Sequence, residues 1–238
     1  PSAATFAWHR ARFAARRPRP AVADSFLEFD GLLAAAADRT DDRPPALVAN
    51  AHVTGLGVAR ALAVDDVPVI ALDRSGDGVA PPSDAVSLAG RITYPLDDGA
   101  AFRADLAALA ERLDGTPVAF GCMDEWVHGL APGVDGVALS FAGDRIDDVL
   151  DKTALYGLAE RLDVPYPETY RLAGVGPTTD GPGPTVLDPA AAAERLGLPL
   201  VLKPALKRRV AEAAGTNVSE APDRAGYDRP PAHARAPC

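Results

Sequence analysis

Ala46-Leu47-Val48-Ala49-Asn50 is a short apolar run, followed by Ala51-His52-Val53-Thr54-Gly55-Leu56-Gly57-Val58-Ala59-Arg60-Ala61-Leu62-Ala63 and then Val67-Pro68-Val69-Ile70-Ala71-Leu72-Asp73. The first and last segments are too short and too continuously apolar for amphipathic helices, and they read as buried strands. Between them the glycine turn opens a helix over Gly55 to Ala63. Strand, turn, helix and strand within some thirty residues make a βαβ unit, which implies a parallel sheet with a right-handed crossover.

The same alternation extends in both directions. Upstream, Phe26, Phe29, Leu32 and Leu33 are spaced for one face of a helix that Ser25 approximately caps, and Asp41 to Pro45 ends it. Downstream, the expected elements are a helix over Phe102 to Leu113, a strand Pro117–Gly121, a helix Glu125–Leu130 and a strand Val137–Phe141. From residue 144 the character changes. Helices are expected over Asp144–Leu150, Thr153–Leu162 and Pro189–Leu196, with strands at Glu168–Leu172 and Leu200–Pro204. Gly174 to Pro184 reads as a loop, and the chain after Gly226 has no apolar period. The expected organisation is a basic, disordered extension at 1–22, an α/β domain at 23–143, a second lobe at 144–220 and a disordered tail at 221–238.

Composition limits the function classes. The chain has 238 residues and a net charge of -9, and its acids are mostly Asp. Lysine occurs only at Lys152, Lys203 and Lys207. An Asp-rich, Lys-poor surface suits a halophilic cytoplasm, where hydrated carboxylates resist association. It argues against nucleic acid as a partner, which would need a basic face. Residues 1–22 depart from this pattern, with Arg10, Arg12, Arg16, Arg17 and Arg19 and no acid. Arg16-Arg17 is followed by Pro18-Arg19-Pro20 rather than an apolar stretch, so an export signal is not expected. No apolar run approaches the ~18 residues of a membrane span. Cys122 and Cys238, far apart, make no disulfide framework, and a reducing cytoplasmic setting is the expectation.

Two segments carry a family resemblance. The first is Asp151-Lys-Thr-Ala-Leu-Tyr-Gly-Leu-Ala-Glu-Arg-Leu-Asp-Val-Pro-Tyr-Pro-Glu-Thr-Tyr170, and the second is Leu196-Gly-Leu-Pro-Leu-Val-Leu-Lys-Pro204. In this order they resemble the opening of an ATP-grasp domain, most nearly that of haloarchaeal carboxylate–amine ligases. The α/β region before them resembles the Rossmann-like domain that precedes ATP-grasp in such proteins. The resemblance implies an incomplete ATP-grasp α+β lobe after that domain. It also implies ATP as cosubstrate with magnesium, and a small carboxylate activated as an acyl phosphate before a small amine attacks.

The resemblance assigns ATP phosphate contacts to Lys152 and Lys203. Lys152 opens a helix, where backbone N–H groups favour anions, and Lys203 ends an apolar strand, where an ammonium loses hydration unless an anion compensates it. Lys207-Arg208-Arg209 and Ala213 to Asn217 resemble the loop that closes over phosphates, which adds Arg208 and Arg209 to the set. A solvated basic turn is the competing reading of that loop. Thr54 and Gly55 in the glycine turn, with His52 beside them, are candidate contacts for substrate or nucleotide. Asp124 and Glu125, just past the strand at Gly121, are further candidates, or else acids placed to satisfy a helix dipole. Cys122 reads as packing, and His9, His128 and His233 form no metal-ligand spacing with either cysteine.

The late acidic pair that holds magnesium in such enzymes has no counterpart before Cys238, so no catalytic residue and no metal ligand is assigned. The expectation is a truncated, ligase-like chain that binds ATP weakly and lacks activity, with ends that read like GC-rich DNA out of frame. A non-catalytic small-ligand or partner-binding α/β module is the alternative. A weaker one is an NAD-dependent oxidoreductase, because Gly55-Leu56-Gly57 follows a strand and Asp73 ends the next, although Arg60 stands where the fingerprint needs a third glycine.

Overall fold

The computed structural model describes residues 25–172, 183–205 and 218–223. The basic extension 1–22, most of the expected loop from Gly174, Arg208 and Arg209 with their neighbours, and the tail from residue 224 lie outside the described residues. The chain divides into two compact units between Phe141 and Ala142.

The first unit is an α/β layer. In chain order it contains α1 (Phe29–Ala37), β1 (Ala46–Ala49), α2 (Val53–Ala63), β2 (Val69–Asp73), β3 (Leu88–Arg91), α3 (Gly99–Ala110), β4 (Val118–Gly121), α4 (Asp124–Leu130) and β5 (Ala138–Leu139). The five strands form one sheet in the order β3-β2-β1-β4-β5, every pairing parallel. Strand order thus reverses beside β1, as in doubly wound sheets of Rossmann type. All four residues of β1 and all five of β2 are buried. That is why these strands read as unbroken apolar runs: helices cover both faces, so neither face needs polar side chains.

The two faces are filled differently. Leu47, Ala49, Ile70, Leu72 and Ala119 point into one cluster with Leu32 of α1, Phe102, Leu106 and Leu109 of α3, and Trp126 and Leu130 of α4. Trp126 meets Tyr94 at 5.4 Å and Phe102 at 5.7 Å between ring centroids. Ala46, Val48, Val69 and Ala71 face the other way, against Ala59 and Ala63 of α2. The second cluster is built largely from alanine, which lets α2 approach the sheet closely. Period-two alternation along β1 and β2 separates the two sets.

Several expectations change. α1 starts at Phe29 with Glu28 as its N-cap residue and no side-chain cap, so Ser25 does not cap it. Leu27 instead pairs with the edge strand, its N–H donating to Ala89 O at 3.0 Å while Arg91 N–H donates to Leu27 O at 2.9 Å. This ladder demands extended backbone, and it sends Phe26 into the alanine-rich cluster while Phe29, Leu32 and Leu33 pack in the other. Strand β3 carries no strong sequence signal, being short and containing Gly90. The glycine is needed there, since a Cβ would lie 2.6 Å from Leu32 Cδ2. α3 begins three residues before Phe102, because the Asp98 carboxylate accepts from Ala100 N and Ala101 N, both at 2.9 Å. It ends at Ala110 rather than Leu113, although Leu113 still packs on the core.

The second unit holds a 3-10 turn at Gly143–Arg145, α5 (Ile146–Leu150), α6 (Lys152–Arg161), β6 (Arg171–Leu172), β7 (Val186–Leu187), α7 (Pro189–Leu196), β8 (Leu200–Leu202) and β9 (Ser219–Ala221). β6 pairs with β7 in parallel, and β8 with β9 antiparallel. The expected strand Glu168–Leu172 is confined to its last two residues, and β7 and β9 had no expectation in sequence. α7 runs over Pro189–Leu196 as expected, with Asp188 capping Ala190 N at 2.8 Å and Pro189 in the first turn. The buried apolar cluster among its described residues is small: Ala193, Leu200 and Ala221, with Leu202 packed against them.

Candidate functional site

In open parallel sheets ligands sit outside the carboxyl ends of the strands where strand order reverses. Here that place lies beyond Ala49 of β1 and Gly121 of β4, which pair in register. The first residue past β1 is Asn50, in the left-handed conformation at φ 74°. Asparagine tolerates that region better than most residues. Its Nδ2 donates to Cys122 O at 3.4 Å, tying the two strand ends together.

The turn into α2 is held by a buried acid. Asp73, at the end of β2, is 1% exposed. Its Oδ2 accepts from Ala51 N at 2.9 Å, and its Oδ1 accepts from Ser75 N at 3.2 Å and from the Ser75 hydroxyl at 3.4 Å. His52, whose side chain is half-exposed, brings Nε2 to 3.7 Å from Asp73 Oδ2, an ion pair only when the imidazole is protonated. Sequence placed Asp73 correctly on the strand but not as the pin of the glycine turn. The residue types could not show that both carboxylate oxygens are engaged inside the protein.

Of the two glycines, only Gly55 is required by packing. A Cβ there would lie 2.1 Å from Asn50 O, whereas at Gly57 nothing comes within 4 Å. Thr54 is exposed in the first turn of α2, and no side chain caps that helix. Asp124 and Glu125 are half-buried in the first turn of α4, and no hydrogen bond or ion pair within the described residues holds either carboxylate. Thr54, Gly55, Asp124 and Glu125 therefore all start helices that follow β1 or β4, at the same edge of the sheet. Cys122 is buried between them in sequence, and loss of hydration pushes its thiol up to about 11. It packs, as its lack of cationic neighbours suggests.

The lysine-bearing segments belong to the second unit. Lys152 begins α6, and both its backbone N–H, at 3.1 Å, and its Nζ, at 3.3 Å, donate to Ala205 O. Asp151 Oδ1 accepts from Thr153 N at 2.7 Å and Ala154 N at 3.1 Å. The first-turn amides are thus occupied, and an anion at this end would be held by ammonium groups rather than by open backbone N–H groups. Lys203 follows β8 and is exposed. The expected loss of hydration at Lys203 does not occur: Val201, two residues earlier in β8, is already exposed, so period-two alternation puts Lys203 on the solvent side as well.

No three or more His, Cys, Asp or Glu among the described residues are grouped to hold a metal ion. No helix among them is long and apolar enough to cross a membrane. Compared with models of known protein families and with curated proteins, the chain gives no match.

Proposed function

We propose that this chain is of the ATP-grasp carboxylate–amine ligase type, with the first unit as its preceding α/β domain and the second as the opening of its nucleotide-binding lobe. The observation that carries the reading is the double contact of Lys152 with Ala205. It sets the start of α6 against the segment that bears Lys203, although about fifty residues of sequence separate them. Two ammonium groups on adjoining segments are a donor set that suits a phosphate chain. In this reading Lys152 and Lys203 hold ATP phosphates, with Arg208 and Arg209 closing over them. The edge of the first unit, at Thr54, Gly55, Asp124 and Glu125, receives the small carboxylate or amine.

ATP would supply the energy for joining the carboxylate to the amine. The described residues do not fit magnesium, since no cluster of ligands is present among them, and no step is assigned to that ion. A dinucleotide reading is disfavoured by Asp73: a ribose hydroxyl must reach the carboxylate at that strand end, and this one is buried, with its oxygens turned to Ala51 N and Ser75 N. The Asp-rich, Lys-poor composition supports a halophilic cytoplasmic setting.

The test is calorimetric titration of ATP, and separately NAD, into the parent chain and into Lys152→Met and Lys203→Met at high salt. Each lost charge-assisted hydrogen bond is worth about 1.5–3 kcal/mol, so each variant should weaken ATP binding about 10- to 100-fold. Circular dichroism checks that the fold persists. Absence of any saturable ATP binding, or binding indifferent to both substitutions, refutes the assignment.

A further inference from the structure

We draw no further inference here: the strongest candidate, the uncapped amino end of α2 beside half-exposed His52 and buried Asp73 at the carboxyl edge of the sheet, belongs to the site already described, and among the described residues no buried unpartnered polar group lies there to point toward a ligand of its own.

Discussion

Replacing Gly55 with Ala should unfold the first unit far more easily, whereas the same change at Gly57 should strengthen it. At position 55 the new methyl would stand 2.1 Å from Asn50 O, and also 3.1 Å from Asn50 C and 3.3 Å from Val48 Cγ1. Carbon–oxygen contacts ordinarily settle at about 3.3–3.6 Å, so the intrusion exceeds an ångström. The two nearest atoms are backbone, not a pliable side-chain tip. The Asn50 peptide is fixed by Asn50 N donating to Leu72 O at 2.9 Å, and the next amide, Ala51 N, donates to Asp73 Oδ2 at 2.9 Å.

Relief therefore requires α2 to lift or that turn to rotate off the buried carboxylate. Overpacking costs about 1–3 kcal/mol, and a weakened hydrogen bond to a charged group about 1.5–3 kcal/mol. Alanine's better helix propensity offsets about 1 kcal/mol, which leaves a net loss of about 1.5–5 kcal/mol. Gly57 has an empty surround, so Gly57→Ala should gain about 0.5–1 kcal/mol from propensity alone. Urea unfolding followed by the fluorescence of Trp126, buried in the first unit, reads both changes once Trp8 is replaced by Phe. With a slope of about 1–3 kcal/mol/M, the Gly55→Ala midpoint should fall by at least about 0.5 M. A Gly55→Ala midpoint unchanged from the parent, or a lowered midpoint for Gly57→Ala, would refute the account of this turn.

Asp73→Asn replaces one accepting oxygen by a donor facing Ala51 N or Ser75, and it should cost about 1.5–3 kcal/mol in the same unfolding assay; a neutral result removes Asp73 as the pin of the turn. Burial raises the Cys122 thiol to about 11 from 9.0, so its contribution to stability should be complete below pH 9 and be lost as pH rises from there through about 11. In a Cys238→Ser background, iodoacetamide should label Cys122 slowly at pH 7 and rapidly only in denaturant, and equal rates in both conditions contradict its burial. Leu200→Ala removes the largest member of the buried cluster in the second unit and should destabilise that unit by about 2–5 kcal/mol without moving the Trp126 transition. Limited proteolysis should then accumulate a fragment from near Ser25 to near Phe141, and a Trp126 midpoint that falls with the substitution would show that the two units do not unfold separately.

The strand–helix–strand core was legible because its signal is local. β1 and β2 are buried on both faces, so their sequences are continuous apolar runs, and α2 between them was legible except for its start, which lies at Val53, two residues before Gly55, so both glycines are inside the helix. α7 was legible for a similar reason, since Asp188 and Pro189 mark its start and Gly197 follows its end. β3 escaped notice because a short edge strand draws its hydrogen bonds from β2 and from Leu27 about sixty residues earlier, and nothing within it announces either partner. Glu28 and Ser25 were ambiguous for the same reason, a distant ladder deciding against a local cap.

For the candidate site the division is similar. Residue type and spacing picked out the glycine turn and the acids after β4, whereas the resemblance assigned phosphate contacts to Lys152 and Lys203. The order β3-β2-β1-β4-β5 came only from tertiary pairing, and it is this order that places Thr54, Gly55, Asp124 and Glu125 at one edge of one sheet. Tertiary contact also made Asp73 a structural pin, because its partners Ala51 and Ser75 reach it only when β1 and β2 lie side by side. It also left one face of β8 in solvent, where Val201 and then Lys203 are exposed despite their apolar neighbours in sequence. Sequence fixes which groups can form strands, turns and charges along the chain, whereas desolvation and hydrogen-bond partnership depend on what the rest of the fold brings alongside them.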